Sequence, residues 1–206
     1  MGWELELTAI PSSCTLLDCV KRGEIDPDLL SFVPVYLQQR RNIGHRIDSF
    51  SEGCSQRERF VDAVEELIMA SPQIEWRSCC LGKRFDWLEW LLVQSAAAKD
   101  TQLIASTAIA GEQTLVPPAT STQGFPIRCT SAPTCELIHI WLEDITEPEL
   151  RAQYDPTRMA EHGLYKWFLP DDPEATFEQI HDDFVAVKRL YRDVTKHSEA
   201  LLIVTD

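Results

Sequence analysis

The sequence has no uncharged apolar stretch long enough to cross a lipid bilayer. One of the longest, residues 90–98, is far shorter than the roughly 20 residues of a transmembrane helix. The first residues, MGWELE, contain neither the basic segment nor the apolar segment of a secretory signal. We therefore expect a soluble, cytoplasmic protein that does not bind membranes.

Cysteine pairs with metal-binding or redox spacing are missing as well. Seven cysteines are present, but no C-x-x-C occurs among them, which argues against a zinc ribbon and against a thioredoxin-like motif. Their odd number and irregular spacing are typical of reduced thiols in a bacterial-type cytoplasm. The cysteines are Cys14, Cys19, Cys54, Cys79, Cys80, Cys129 and Cys135.

Positive charge is scarce. The chain carries 19 Lys and Arg against 33 Asp and Glu, for a formal net charge of −14. Such a surface repels phosphate backbones, so no nucleic-acid partner is predicted. It would suit a basic protein partner, although net negative charge also serves solubility alone. The one basic island, Arg40, Arg41, His45 and Arg46, is better explained by a helix carboxyl terminus than by RNA binding.

Motifs for common chemistries are also missing. Neither G-x-x-x-x-G-K nor G-x-G-x-x-G is present, so no phosphate-binding loop is predicted. There is no G-x-S-x-G, and the five histidines have no motif partner. The sequence therefore predicts no catalytic residue, no metal and no cofactor, and it leaves the question of enzymatic activity open.

What the sequence does contain is clear secondary-structure patterning. Alternation over residues 3–8 and an apolar run over 200–204 predict strands near both ends. Capping and apolar periodicity predict helices between them, at 29–41 with a kink at Pro34, 55–70, 85–97, 131–142, 155–163 and 173–191. A short helix is also expected through residues 16–20, and a capping box at 146–149 marks another helix start. Residues 103–115 favour β-structure around Gly111, and 116–125 favour a loop. The expected fold is α+β, a single domain over residues 1–206 with a small mixed β-sheet packed against several α-helices.

Several segments together resemble a known family. They include GFPIR at 124–128, the helix containing 136–142, positions within 144–165, the helix 184–191 and the strand 200–204, with LGKRF at 81–85, LEWLL at 88–92 and IAGE at 109–112 upstream. In order and spacing these are similar to the YfbM-like family of uncharacterised bacterial proteins. The resemblance covers residues 81–206 best and 21–80 least. It implies an α+β fold and no established activity or cofactor.

The sequence departs from that family at one helix. Members usually have Trp where this chain has Phe85, and often His where it has Glu89. They tend to have Thr-Gly where it has Val93-Gln94. If this helix lines a functional cleft, the chemistry of this chain differs from that of the family.

Arg128 is the most promising binding residue. It follows a glycine–aromatic turn that includes Phe125, and it precedes a predicted helix amino terminus, where anions are attracted. Alternatively it pairs with a neighbouring carboxylate and holds the loop in place. Glu89 and Glu112 would supply acid–base chemistry if burial raised a pKa, or they simply face solvent. Tyr154 completes a candidate cleft whose test is whether these side chains converge.

Two cysteine arrangements carry weaker hypotheses. Cys135 and His139 lie four residues apart on a predicted helix, near Cys129 and Glu143, as zinc ligands can. A buried cysteine acting as a small apolar side chain is the simpler interpretation. The pair Cys79–Cys80 lies close to Arg77, Lys83 and Arg84, which would favour a reactive thiolate.

Two functions follow as hypotheses. The first is a non-catalytic protein-interaction module with a basic partner, favoured by the acidity and by the lack of catalytic motifs. The alternative is a small-molecule enzyme or binder with an anion-binding pocket around Arg128.

Overall fold

A computed structural model of the chain describes residues 4–43, 55–71, 73–97, 101–121, 124–164 and 170–205. Within these ranges the expected α+β class is confirmed. The residues His45 and Arg46 of the predicted basic island, Cys54, and the first residue of the predicted amino-terminal strand lie outside them.

The sheet has five strands in the order β2-β1-β5-β4-β3. The strands are β1 (Leu5–Pro11), β2 (Ser78–Gly82), β3 (Gln113–Val116), β4 (Ile127–Thr130) and β5 (Glu199–Thr205). The four pairings among the described strands are antiparallel, so the sheet is not mixed as expected. The helical connections from β1 to β2 and from β4 to β5 reverse the direction of the chain. The helical connection from β2 to β3 does not, but these two strands lie at opposite edges of the sheet and do not pair. Nothing in the sequence predicted β2 or β4, which are only five and four residues long.

The helices lie between the strands in chain order. They are α1 (Thr15–Lys21), α2 (Val33–Ile43), α3 (Ser55–Ala70), α4 (Phe85–Ala97), α5 (Gln102–Ala110), α6 (Ala132–Asp144), α7 (Glu147–Gln153), α8 (Pro156–Glu161) and α9 (Pro173–Lys196). In the described part of the chain, no helix combines the length and the apolar character that crossing a membrane requires.

Helix starts follow the capping signals closely. The carboxylate of Asp172 accepts from the amide of Ala175 at 3.0 Å, and that of Asp155 accepts from Thr157 at 3.1 Å. The carboxylate of Glu149 reaches back to the amide of Thr146 at 2.9 Å. These local hydrogen bonds satisfy amides that the first helical turn leaves unpaired, which is why the sequence alone locates them.

Two predicted elements differ from the structure. Residues 29–41 do not form one kinked helix, because a 3₁₀ turn over Pro27–Phe32 precedes α2 and Pro34 lies in the first turn of α2, where proline needs no amide partner. The β-leaning stretch 103–115 is instead α5 followed by β3. Burial of Ala105, Ala108 and Ile109 outweighs the β-propensity of the segment.

One hydrophobic core joins the sheet to the helices. The predicted apolar stripe of α9 is buried at each of its positions, namely Phe177, Ile180, Phe184, Val187, Leu190 and Tyr191. β1 and β5 pair along their whole length, from Leu5 opposite Thr205 to Pro11 opposite Glu199. The Leu5–Thr205 end of this central pair opens towards α4 and α5, where a pocket forms.

Candidate functional site

A pocket of about 140 Å³ lies at that end of the sheet. Its walls come from the beginning of β1, the end of β5, the beginning of β4 and the two helices α4 and α5. The lining residues are Leu5, Phe85, Glu89, Ile109, Ala110, Pro126, Arg128, Ile203 and Thr205. Two of the predicted cleft residues, Glu89 and Arg128, are therefore brought together among apolar side chains.

Glu89 enters the pocket from the middle of α4, one helical turn after Phe85. Phe85 and Glu89, two of the positions at which the sequence departs from the family that it resembles, thus both line this pocket. Burial raises the pKa of the Glu89 carboxyl to about 7, and repulsion from Asp86 adds to the rise, while Arg128 opposes it. A carboxyl with a pKa near neutrality can both accept and donate a proton at physiological pH. The hypothesis that burial could prepare Glu89 for acid–base chemistry therefore agrees with its environment.

Arg128 enters from β4, where it is opposite Ile203 of β5. Its Nη1 donates to the backbone oxygen of Ala110 at 2.9 Å, so it closes the carboxyl end of α5, which the helix dipole makes negative. Its Nε is buried without a hydrogen-bond partner. Among the described residues no carboxylate forms an ion pair with Arg128. Within this part of the chain the alternative of a structural ion pair therefore finds no carboxylate partner, whereas the bond to Ala110 ties β4 to the end of α5.

Gly111 makes the close approach of α5 to the sheet possible. It follows α5 with φ 81° and ψ 159°, a conformation open essentially to glycine alone. A Cβ at this position would lie 3.0 Å from Cδ1 of Ile203 and 3.1 Å from Cβ of Arg128. Glycine at this position therefore lets the end of α5 lie close to β4, where Arg128 bonds to Ala110.

Glu112 lies elsewhere. Its carboxylate accepts from the amide of Ser131 at 3.0 Å and from the Ser131 hydroxyl at 2.6 Å, at the amino terminus of α6. These hydrogen bonds lower its pKa. Glu112 is a capping residue, and the hypothesis that burial raises its pKa is wrong.

Tyr154 and Phe125 do not line the pocket of Glu89 and Arg128. The Tyr154 ring packs against Phe177 with 5.3 Å between centroids, and burial raises its pKa. Phe125 precedes Pro126, the loop residue that does line the pocket. The five predicted residues therefore converge only in part. The apolar walls come from Leu5, Ile109 and Ile203. The sequence shows that these residues are hydrophobic, but nothing in it predicts that they line a pocket.

The cysteine hypotheses are not supported. The Cys135 thiol is buried, its Sγ lies 3.6 Å from the backbone oxygen of Thr130, and burial raises its pKa to about 12. In the described ranges no three His, Cys, Asp or Glu side chains are grouped as metal ligands. The His139 ring instead lies 3.8 Å from the Glu143 carboxylate.

The pair Cys79–Cys80 is not activated either. Burial raises the pKa of Cys79 to about 12, and burial also raises that of Cys80. The arginines expected to favour a thiolate are paired with carboxylates, Arg77 with Glu199 and Arg84 with Asp183. Because carboxylates neutralise these guanidinium groups, the arginines do not favour the thiolate form of Cys79 or Cys80.

A second concave surface lies between α5 and α6. This groove has a volume of about 340 Å³ and contains Leu103, Leu137 and Glu112 in its lining. Leu103 is 81% exposed and Leu137 is 56% exposed, an unusual position for large apolar side chains. Ile140, one turn further along α6, is exposed as well.

Comparison with known proteins agrees with this architecture. A family model described as a domain of unknown function (DUF1877) matches residues 48–204. The crystal structure of YfbM from Escherichia coli, a protein of unknown function, is similar in fold with a TM-score of 0.60. The similarity covers 98% of this chain and 99% of YfbM at 17% identity. A search among curated proteins found no match.

Proposed function

We propose that this chain, which belongs to the DUF1877 family of unknown function, binds a small molecule through the pocket of Glu89 and Arg128. One observation carries the proposal: an acidic and a basic side chain share an apolar pocket without pairing with each other. Polar groups that are placed among apolar walls are typical of ligand sites.

Arg128 supplies the anion-binding group. Its bond to Ala110 fixes the guanidinium against the end of α5, while Nε is left without a partner. A ligand carboxylate or phosphate would gain charge-assisted hydrogen bonds from a guanidinium that needs little further ordering. The recognised group is therefore an anion, and Glu89 provides a proton acceptor or donor beside it.

A thermal-shift screen of small carboxylates, phosphates, amino acids and amines tests this proposal. A ligand at a hundred times its Kd stabilises the native state by about 2.7 kcal/mol, which raises Tm by several degrees in a chain of this length. We expect hits whose effect is lost in Arg128→Gln and reduced in Glu89→Gln. Arg189→Gln, at an exposed arginine of α9, is the charge-matched control and should respond as the unaltered protein does.

Arg128→Gln removes the Ala110 contact and can weaken the fold, so a loss of binding in this variant alone would be ambiguous. Glu89→Gln keeps that contact and therefore tests the pocket independently. A screen without hits, or hits unaffected by either pocket substitution, would rule out the proposal.

We also propose, as a second candidate, that the groove between α5 and α6 binds a basic amphipathic segment of another protein. Leu103 and Leu137 offer apolar contact area, and the exposed Glu112 lines the groove with them. With a net charge of −14, the protein attracts positively charged partners over distances of about a Debye length. The expected partner therefore has an apolar face bordered by Lys or Arg.

A synthetic helical peptide of Leu and Lys at amphipathic spacing provides the probe, with fluorescence anisotropy as the measurement. We expect binding that weakens as salt rises and that falls at least tenfold in the double substitution Leu103→Ser, Leu137→Ser. Val185→Ser, at an exposed apolar residue of α9, should leave affinity unchanged. Equal affinity in all three proteins would show attraction by charge alone and would exclude the groove.

A further inference from the structure

We infer that the ligand of the pocket is a small zwitterion, an apolar α-amino acid or a close analogue, held by Arg128 at its carboxylate and by Glu89 at its ammonium group. This inference rests on the proposed small-molecule function and specifies the class of ligand. It starts from two opposite charges in one pocket that do not neutralise each other.

The absence of a direct ion pair is the central observation. Within the described part of the chain no ion pair of 4.0 Å or less involves Glu89, and none involves Arg128. They are nevertheless close enough for the guanidinium to affect the proton affinity of the carboxyl. Among the described residues neither group has a charged partner within ion-pair distance, and both line the same pocket, so a molecule with both charges would complete both contacts.

Ligands of a single charge fit less well. A simple anion on Arg128 would be repelled by an ionised Glu89 or would require Glu89 to take up a proton. A simple cation on Glu89 would be repelled by Arg128. A zwitterion avoids both penalties, and having no net charge it is not repelled by the −14 charge of the whole chain.

Size and wall chemistry narrow the class further. A cavity of roughly 150 Å³ accommodates a molecule the size of benzene, and this pocket measures about 140 Å³. That volume suits an amino acid of six to eight heavy atoms, on the order of alanine to valine by the same comparison. Phe85, Ile109 and Ile203 offer apolar contact to a short aliphatic side chain.

Three matched compounds test the inference by isothermal titration calorimetry. L-Valine carries both charged groups, isovalerate lacks the ammonium group, and isobutylamine lacks the carboxylate. We expect valine to bind at least tenfold more tightly than either analogue. In Glu89→Gln the affinity for valine should fall to that for isovalerate, and in Arg128→Gln it should fall to that for isobutylamine. Arg189→Gln should bind all three as the unaltered protein does.

Proton exchange gives a second readout that a purely structural role of Glu89 would not produce. An ammonium group beside Glu89 favours its ionised form, so valine should release up to about half a proton per molecule bound near pH 7. Isovalerate should instead cause proton uptake. Titrations in two buffers of different ionisation enthalpy measure the sign, and Glu89→Gln should abolish both effects.

The outcomes separate this inference from the proposed function. If isovalerate binds as tightly as valine, or if valine binding takes up protons, the pocket binds anions and only the zwitterion inference is wrong. The same holds if no amino acid binds while another compound of the thermal-shift screen does so through Arg128. If no compound binds through Arg128, both are wrong.

Discussion

Arg77 and Glu199 form a two-point ion pair inside the protein, with Nε 2.7 Å from Oε2 and Nη2 2.6 Å from Oε1. Arg77 is 8% exposed and Glu199 is 2% exposed. The Ser71 hydroxyl also donates to Glu199 and accepts from Arg77 Nη2. The pair joins the segment before β2 to the first residue of β5, at the end of the sheet opposite the pocket.

The first prediction concerns this pair. Glu199→Ala leaves the guanidinium of Arg77 buried without its carboxylate, and we expect a loss of about 3–5 kcal/mol in the free energy of unfolding. Chemical denaturation followed by circular dichroism measures it. Arg189→Ala, at an exposed site, should change stability by less than about 0.5 kcal/mol.

A double substitution sharpens this prediction. Arg77→Met with Glu199→Leu removes both charges, so no charge is left unpaired, and the double variant should be more stable than Glu199→Ala. A double variant as unstable as the single one would show that packing, and not the unpaired charge, sets the loss.

The second prediction concerns Gly111. Gly111→Ala should destabilise the fold by roughly 3 kcal/mol or more, because the backbone conformation is strained for alanine and the new Cβ meets Ile203 and Arg128. Gly163→Ala is the matched control: φ is 64° and no atom lies within 4 Å of its Cβ position, so only a backbone cost of about 1–2 kcal/mol is expected. Equal losses at the two sites would contradict the close packing at Gly111.

The third prediction concerns the pH dependence of stability. The pKa of Glu89 is about 7 in the folded protein and near its ordinary value of 4.5 in the unfolded chain. Its contribution to the free energy of unfolding is therefore complete below about pH 4.5 and is lost as pH rises through 7, a change of about 3 kcal/mol. Glu89→Gln should gain stability relative to the unaltered protein over this range, as urea denaturation at several pH values would show.

Glu112→Gln gives the opposite sign. Because hydrogen bonds from Ser131 lower the pKa of Glu112, its contribution is present above the unfolded pKa and is lost as pH falls through the folded one. The advantage of the unaltered protein over this variant should shrink in acid. Parallel pH profiles for the two variants would contradict the assignment of a buried Glu89 and a capping Glu112.

The fourth prediction concerns thiol reactivity. Cys79 and Cys135 are buried and have pKa values raised to about 12, whereas Cys80 is exposed on the other face of β2. Alkylation of the native protein by iodoacetamide should modify Cys80 well before the other two, as peptide mass spectrometry would show. In Cys80→Ser both buried thiols should stay unmodified until denaturant is added. Early labelling of Cys79 would show that β2 opens at the sheet edge.

Local signals in the sequence were sufficient for much of the helical framework. Asp155, Thr146 and Asp172 start helices through hydrogen bonds to residues two or three positions away. The position of each of these helix starts therefore depends only on neighbouring residues. The stripe of α9 likewise depends on spacing within one helix. Short strands were harder, since β2 and β4 are held in place mainly by partners that are distant in sequence.

The candidate site shows the same division. The sequence alone marked Glu89 and Arg128 as chemically notable, and it determined the acidity, the helix starts and the buried faces, because each depends on residue type and near neighbours. Only the tertiary structure placed Glu89 and Arg128 in one pocket and separated Glu112 and Tyr154 from it. The shared position of Glu89 and Arg128 depends on how α4 and α5 pack over the β1–β5 pair. The contacts responsible join residues that lie far apart along the chain.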